Sequence, residues 1–300
     1  MQIKFLDIDE LGKLYSFNKQ SFTKRQNSKQ LIDFWLSKNP EELNLSIILK
    51  SENTEIFGHI LHSSMFYFYN EEEIKGEWGF DLIIREDIRK DGYGIDMLQF
   101  ALKHKKNIFA VGSGPLALKI ELKIGFKLIG ELRKYVGISN MLFLPSSFLR
   151  GLIKQKKYPA ALKSRNKIFK QINVDQLPDY STPFNSRLLE FGRDNIFLNW
   201  RYFSDLHPYT FYKQEGGDDY FVVRTIVKKG ITCLVLVDYR CDFSNKQNFI
   251  ILLKAVKKVA SILKLSVIIT GSSLKMTDEI FENMRFKSLG RPRPIITTEN

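Results

Sequence analysis

The sequence predicts an α/β protein of the α+β kind, built from two units of one fold, each a mixed, mainly antiparallel sheet flanked by helices. Three observations predict it. The chain has 300 residues, above the usual size of one domain. Its apolar pattern alternates between strand and helix periods along most of its length. The order of elements near residue 140 returns near the C-terminus, where Asn283-Met-Arg285-Phe286-Lys287 corresponds to Lys123-Ile-Gly125-Phe126-Lys127.

The first unit is expected over residues 1–140. A short strand at residues 2–7 precedes a helix from Asp9 to Phe22, with Leu11, Leu14, Tyr15 and Phe22 near helical spacing. A second helix runs from Ser28 to Trp35 and stops before Asn39-Pro40. Leu43 to Leu49, Ile56 to Phe68 and Trp78 to Ile84 read as successive strands joined by polar turns. The turn Arg89 to Gly94 leads into a helix from Ile95 to Lys105. A strand from Ile108 to Val111 passes through Gly112-Ser113-Gly114 into a helix from Pro115 to Ile124, with Gly125 as its C-cap. Strands at Leu128 to Leu132 and Tyr135 to Ile138 complete the unit.

Residues 141–183 read as a basic connector, with a helix around Ser147 to Gln155. No Asp or Glu occurs from Leu132 to Val174. The second unit is expected over residues 184–300. It has helical segments to Tyr202, strands from Tyr220 to Val227 and Ile231 to Tyr239, and a long helix from Lys246 to Leu263. That helix carries a one-sided stripe of Phe249, Leu252, Leu253, Val256, Val259, Ala260 and Leu263. A strand from Ser266 to Thr270, a helix from Asp278 to Met284 and a strand from Pro294 to Thr297 follow.

Composition excludes several classes. Hydrophobic content of 44% and charged content of 26% are globular values and exclude a disordered chain. No apolar run reaches the roughly 18 residues of a membrane helix. The N-terminus lacks the basic start and apolar core of a signal peptide. Cys233 and Cys241 are too few for a disulfide framework or a four-cysteine zinc site, and no metal is expected. These features fit a cytoplasmic location. The net charge of +13 favours anionic partners, although solvated lysines in a chain rich in Lys, Asn, Ile and Phe need none.

The chemistry concentrates in Arg89-Lys90-Asp91-Gly92-Tyr93-Gly94. This turn joins a buried strand to a helix N-terminus, where backbone N–H groups and the helix dipole favour an anion. Two glycines let a phosphate approach the backbone. In this element order, Arg89, Gly92 and Gly94 make the chain resemble the GNAT superfamily of N-acetyltransferases over about residues 1–140. The strand Ile108 to Val111, Ala117 and Gly125-Phe126 match the next motif of that superfamily.

The resemblance implies acyl-coenzyme A, in the first place acetyl-coenzyme A, as donor. The pyrophosphate would lie on residues 89–94, and the pantetheine along Leu82, Ile83 and Ile84, with Ser113 beside it. The family's usual general acid, a Tyr, is replaced here by Glu121, and its usual Asn by Gly114. Glu121 reads either as the replacement acid or as a solvated helix residue, and flanking Lys119 and Lys123 favour the charged, solvated form. Glu77 and Asp81 are candidate bases on one face of their strand, opposite Trp78, Phe80, Leu82 and Ile84. His59 and His62 on the neighbouring strand are rivals.

The second unit has no such loop. Arg240-Cys-Asp-Phe-Ser-Asn245 contains no glycine, and Asp242 would repel phosphate, so this unit reads as degenerate. Trp200, Arg201 and His207 are candidates for stacking on a sugar or base of the acceptor, or equally for core packing. The expected function is acyl transfer to a small-molecule amine held in a cleft between the units, first of all an amino-sugar nucleotide whose diphosphate suits the basic charge. A nucleic-acid partner is not expected. The alternatives are a Fem-like aminoacyltransferase using aminoacyl-tRNA and a non-catalytic acyl-coenzyme A-binding module.

Overall fold

The computed structural model describes residues 1–22, 28–36, 45–52, 55–143, 157–180, 182–183, 188–204 and 206–298. In chain order the elements begin with β1 (Gln2–Phe5), α1 (Leu11–Ser21), α2 (Ser28–Leu36), β2 (Ile47–Lys50), β3 (Ile56–Tyr69) and β4 (Glu72–Ile84). They continue with α3 (Tyr93–His104), β5 (Ile108–Val111), α4 (Pro115–Ile124) and β6 (Lys127–Ile138). Next come β7 (Ala161–Ser164), β8 (Lys167–Gln171), β9 (Glu190–Phe191), α5 (Asn195–Tyr202), β10 (Thr210–Gln214), β11 (Tyr220–Lys228) and β12 (Ile231–Arg240). The chain closes with α6 (Lys246–Ile262), β13 (Val267–Ser272), α7 (Lys275–Asn283), β14 (Phe286–Ser288) and β15 (Arg293–Thr297). The helix expected around residues 147–155 and the start of the second unit at Phe184 lie outside the described residues.

Two compact units result: residues 1–130 with 293–300, and residues 131–292. This division differs from expected boundaries at 140 and 184, and strand pairing explains why. The first unit's sheet runs β1-β2-β3-β4-β5-β15, so its last strand comes from the chain's C-terminus. Ile295, Ile296 and Thr297 pair with Val111, Ala110 and Phe109. Ile296 is fully buried in the core beneath α3. β6, expected as two strands, is continuous, and residues 133–138 pair with β13 in the second unit.

In the first unit β4 pairs in parallel with β5 only through Glu77↔Ile108 and Trp78↔Phe109. Beyond Gly79 the two strands part, which opens the sheet at the C-terminal end of β4. One face carries α3, with Met97, Leu98 and Ala101 packed against Ile60, Ile84 and Ile108. The other carries α1 and α2, with Leu14, Phe17 and Ile32 against Leu61, Phe80 and Ile83. Burial of aliphatic and aromatic side chains of this size supplies about 1.5–3 kcal/mol each. The β3–β4 hairpin is tighter than the polar segment Asn70 to Gly76 suggests. Tyr69 pairs with Glu72, and the turn is Asn70-Glu71 with φ of +50° and +70°. Positive φ at both turn positions matches the right-handed twist of the flanking strands.

The second unit's sheet runs β6-β13-β12-β11-β10-β8-β7, with β14 also on β6. Residues expected in the connector thus form the hairpin β7–β8. Leu162 and Phe169 are paired across it and both lie in the core beneath α6, which is why the segment folds. The α6 stripe is buried as its spacing predicts.

Candidate active site

The turn after β4 is shaped by Gly92, which has φ of +89° and serves as the N-cap of α3 without a side-chain cap. A side chain there would be strained in the left-handed region. The Gly92 carbonyl accepts from Ile95 N at 2.8 Å and Asp96 N at 3.2 Å, so the helix begins with the amides of residues 92–94 at its positive end. Gly94 faces open space. A Cβ there would meet only Ile84 Cγ1, at 3.8 Å. Arg89 Nη2 donates to the Ile84 carbonyl at 3.2 Å, which anchors its guanidinium beside the loop.

A cavity of about 420 Å³ opens on this loop. Leu82, Ile83, Ile84, Arg89, Lys90, Gly92 and Gly94 all line it, as do Leu98 of α3 and Ala117 and Ile120 of α4. Asp91 and Tyr93 belong to the loop without lining the cavity. A second cavity of about 330 Å³ shares Leu82, Leu98 and Ala117 with the first and reaches the point where β4 and β5 part. Its walls include His62, Gly79, Asp81, Ser113 and Glu121. The turn Gly112–Gly114 along its rim is held by β15, since Gly112 N donates to the Pro294 carbonyl at 2.9 Å.

Glu121 is the main departure from the solvated alternative. Although Lys119 and Lys123 flank it in sequence, the carboxyl faces inward from α4 and the residue is only 6% exposed. Burial pushes its pKa up, partly offset by a hydrogen bond from Ser113. Among the described residues its Oε2 has no hydrogen-bond partner. A carboxyl in this state holds a proton more readily than a solvated one.

Asp81 lines the same cavity from a β-bulge. His59 pairs with Ile83 and Leu61 with Phe80, so Asp81 and Leu82 together face Ile60. Asp81 takes φ of +52°, a left-handed conformation that Asp tolerates better than most residues. The bulge also corrects the expected alternation: Phe80 packs toward α1 and α2, whereas Leu82 and Ile84 face the α3 side. Glu77 lies before the bulge and lines neither cavity. Its carboxylate is paired with Lys105, whose side chain is almost fully buried.

Of the two histidines, His59 turns to the α1 side, where its Nε2 lies 3.0 Å from Asn18 Nδ2 and its ring edges onto Phe17. His62 is 1% exposed and lines the second cavity. Burial and the nearby Lys105 charge push its pKa down to about 3, so the ring is neutral. The α3 and α4 residues Leu98, Ala101 and Ile120 were not singled out from sequence. Their helical spacing beside Met97 and Ala117 was the available signal.

In the second unit, the segment before α6 is closed on itself. Asn245 Oδ1 accepts from Gln247 N, Asp242 Oδ1 accepts from Ser244 N, and Phe243 and Cys241 are buried. Trp200, Arg201 and His207 do not line the cavity of about 210 Å³ found in this unit. Trp200 packs on Phe197, Arg201 lies over Tyr202, and His207 edges onto Tyr209. Burial, then Arg224 and Arg201, lower the His207 pKa. Among the described residues no group of three or more His, Cys, Asp or Glu is placed to hold a metal, and no helix is long and apolar enough to cross a membrane.

No protein-family model and no curated protein matches the sequence. Solved structures do match its fold. A GCN5-related N-acetyltransferase from Anabaena variabilis aligns with 99% of this chain and 72% of its own, at 10% identity and a TM-score of 0.66. A probable N-acyltransferase from Enterococcus faecalis aligns over the same shares at 10% identity and a TM-score of 0.64. Saccharomyces cerevisiae N-myristoyltransferase with bound myristoyl-CoA aligns with 99% of this chain and 82% of its own, at 9% identity and a TM-score of 0.62. The chain therefore has the tandem fold of the GCN5-related N-acetyltransferases and N-myristoyltransferase.

Proposed function

We propose that the first unit is an acyl-coenzyme A-dependent N-acyltransferase and that the second unit is a degenerate copy that binds no coenzyme A. The observation that carries this reading is the continuity of the two cavities, which share Leu82, Leu98 and Ala117 between the open Gly92–Gly94 loop and the buried Glu121. The donor's pyrophosphate lies on the amides of residues 92–94, with Arg89 and Lys90 beside it. The pantetheine arm follows Leu82 to Ile84, and the thioester reaches the second cavity. The solved relatives in fold that carry N-acyltransferase names, one of them with an acyl-coenzyme A bound, support the same class.

The reaction takes a primary ammonium and an acyl thioester to an amide, a free thiol and one proton. The ammonium first loses a proton to Asp81, directly or through water. The amine lone pair then forms the C–N bond, and a backbone N–H of β4 near the Asp81–Leu82 bulge stabilises the carbonyl oxygen. The C–S bond breaks with its electron pair leaving on sulfur, and Glu121 gives that sulfur its proton. Asp81 gives the first proton up to bulk water, and the nitrogen's second proton passes through water to Glu121, so one proton is released and both carboxyl groups return to their starting states. Positioning supplies much of the remaining acceleration.

Acetyl-coenzyme A is the first donor to try, and a small primary amine the acceptor, with amino-sugar nucleotides favoured by the +13 charge. Free-thiol release from acetyl-coenzyme A against a panel of amines tests the reading. Amine-dependent thiol release supports it. Absence of release across a broad panel of donors and amines, with coenzyme A still bound, turns the protein into a binding module.

A further inference from the structure

Tyr209, the residue before β10, is the hub of a basic corner in the second unit. The Arg224 guanidinium lies over its ring, 5.4 Å from the centroid. His207 and Tyr202 stand edge-on to the same ring, at 5.9 Å and 5.4 Å. Arg201 in turn lies over the Tyr202 ring at 5.9 Å. Three segments of the chain meet here. Arg201 belongs to the last turn of α5, and His207 to the loop that follows it. Arg224 comes after Tyr220 and Val222 on the face of β11 that packs under α5. Arg201, His207 and Arg224 are all half-buried, so the corner stays open to solvent.

The corner gathers positive charge without a described carboxylate to offset it. Elsewhere in this unit Arg193 is paired with Asp238, Arg240 with Glu190, and Arg133 with Asp278. Among the described residues no salt bridge reaches Arg224, and its Nε is buried with no hydrogen-bond partner. The Tyr209 ring attracts the cation, a contact of about 0.5–2 kcal/mol, but leaves the guanidinium without a carboxylate or phosphate fork. Arginine cannot shed its proton to escape this environment. Burial, then the charges of Arg224 and Arg201, push the His207 pKa down, as a positive local field does. An anion seated among these groups offsets their mutual repulsion and gives the Arg224 donors an acceptor.

We propose that Arg224, Arg201 and His207 form an anion site in the second unit that takes the phosphate group of a phosphorylated small molecule. Arg224 is the anchor, with its outer N–H groups donating to two phosphate oxygens in the fork geometry of the guanidinium. Arg201 adds charge, and His207 donates a ring N–H to a further oxygen. A phosphate carries more charge and more acceptor oxygens than a carboxylate, which suits donors arriving from three segments. The site belongs to the second unit and does not use the Gly92–Gly94 loop.

The test titrates inorganic phosphate and uridine diphosphate into the full chain and into Gly94→Trp, which closes the loop of the first unit. Calorimetry reads affinity, and the His207 ring resonances in NMR report on the corner itself. The expected result is saturable binding in both proteins, with the His207 resonances shifting along the same isotherm. Arg224→Gln should weaken it by about tenfold or more, as loss of a charged hydrogen bond does, and Arg224→Lys should recover part of the loss. Tighter binding of uridine diphosphate than of inorganic phosphate marks a nucleotide as the source of the phosphate, and equal affinity marks the phosphate group alone. Absence of saturable binding, or binding that Arg224→Gln leaves unchanged, overturns the proposal. So do His207 resonances that stay fixed during the titration, a result that needs no Arg224 variant to fold. None of these outcomes bears on the acyltransferase reading of the first unit.

Discussion

Ser113, in the turn after β5, hydrogen-bonds the carboxyl of Glu121 two turns into α4, and leaves the second carboxyl oxygen buried without a partner among the described residues. This pair places a proton-holding group beside the point where β4 and β5 part. Burial raises the Glu121 pKa and the serine hydrogen bond works against that rise.

Glu121→Gln should therefore lower turnover by about 10²–10⁴-fold, with acetyl-coenzyme A affinity nearly unchanged. Steady-state kinetics with calorimetry separates the two effects. Turnover within twofold of the unaltered protein would remove Glu121 from the proton path.

The same shift has a sign in stability. A carboxyl whose folded pKa is raised binds more protons folded than unfolded. Its contribution is fully present below the unfolded value and is lost as pH rises through the raised folded value. Urea unfolding across this range should show a pH-dependent loss in the unaltered protein that Glu121→Gln diminishes. Ser113→Ala removes the opposing hydrogen bond and should move the loss to higher pH.

Asp81 and Glu77 share a strand but not an environment. Asp81→Asn should slow amine-dependent turnover by about 10²-fold or more. Glu77→Gln should leave turnover of the folded protein nearly unchanged. It should instead cost stability, up to the roughly 3–5 kcal/mol of a broken buried pair, less if Lys105 sheds its proton. A Glu77 variant that is stable yet inactive would reverse the assignment.

The C-terminal strand holds the rim of the site. Ile296→Ala should destabilise the chain by about 2–5 kcal/mol, measured by urea denaturation. Ending the chain before Arg293 removes the partners of Gly112 and Ile108 and should abolish acetyl-coenzyme A binding. Full affinity in the shortened chain would show that the site does not depend on β15.

Local features were legible in the sequence because their causes are local. Gly92 and Gly94 at the start of α3, and Gly125 with φ of +118° ending α4, announce themselves by residue type. What escaped depends on distant partners or on a single backbone angle. Nothing near Pro294 says that it pairs with a strand almost two hundred residues earlier, and nothing near Arg133 says that β6 pairs with β13. The bulge at Asp81 shifts the later side chains of β4 to the other face, so period-two reasoning from Trp78 fails after Phe80. Glu121 was ambiguous for the same kind of reason: two flanking lysines describe its neighbours in sequence, whereas burial against the sheet decides its charge.

The most direct test of the central claim is titration calorimetry of acetyl-coenzyme A into the full chain and into Gly94→Trp. The account predicts one bound acetyl-coenzyme A per chain, and no measurable binding in the folded Gly94 variant, because an indole there fills the space that Gly94 leaves open beside Ile84. Undiminished affinity in the variant, or two sites per chain, would contradict it.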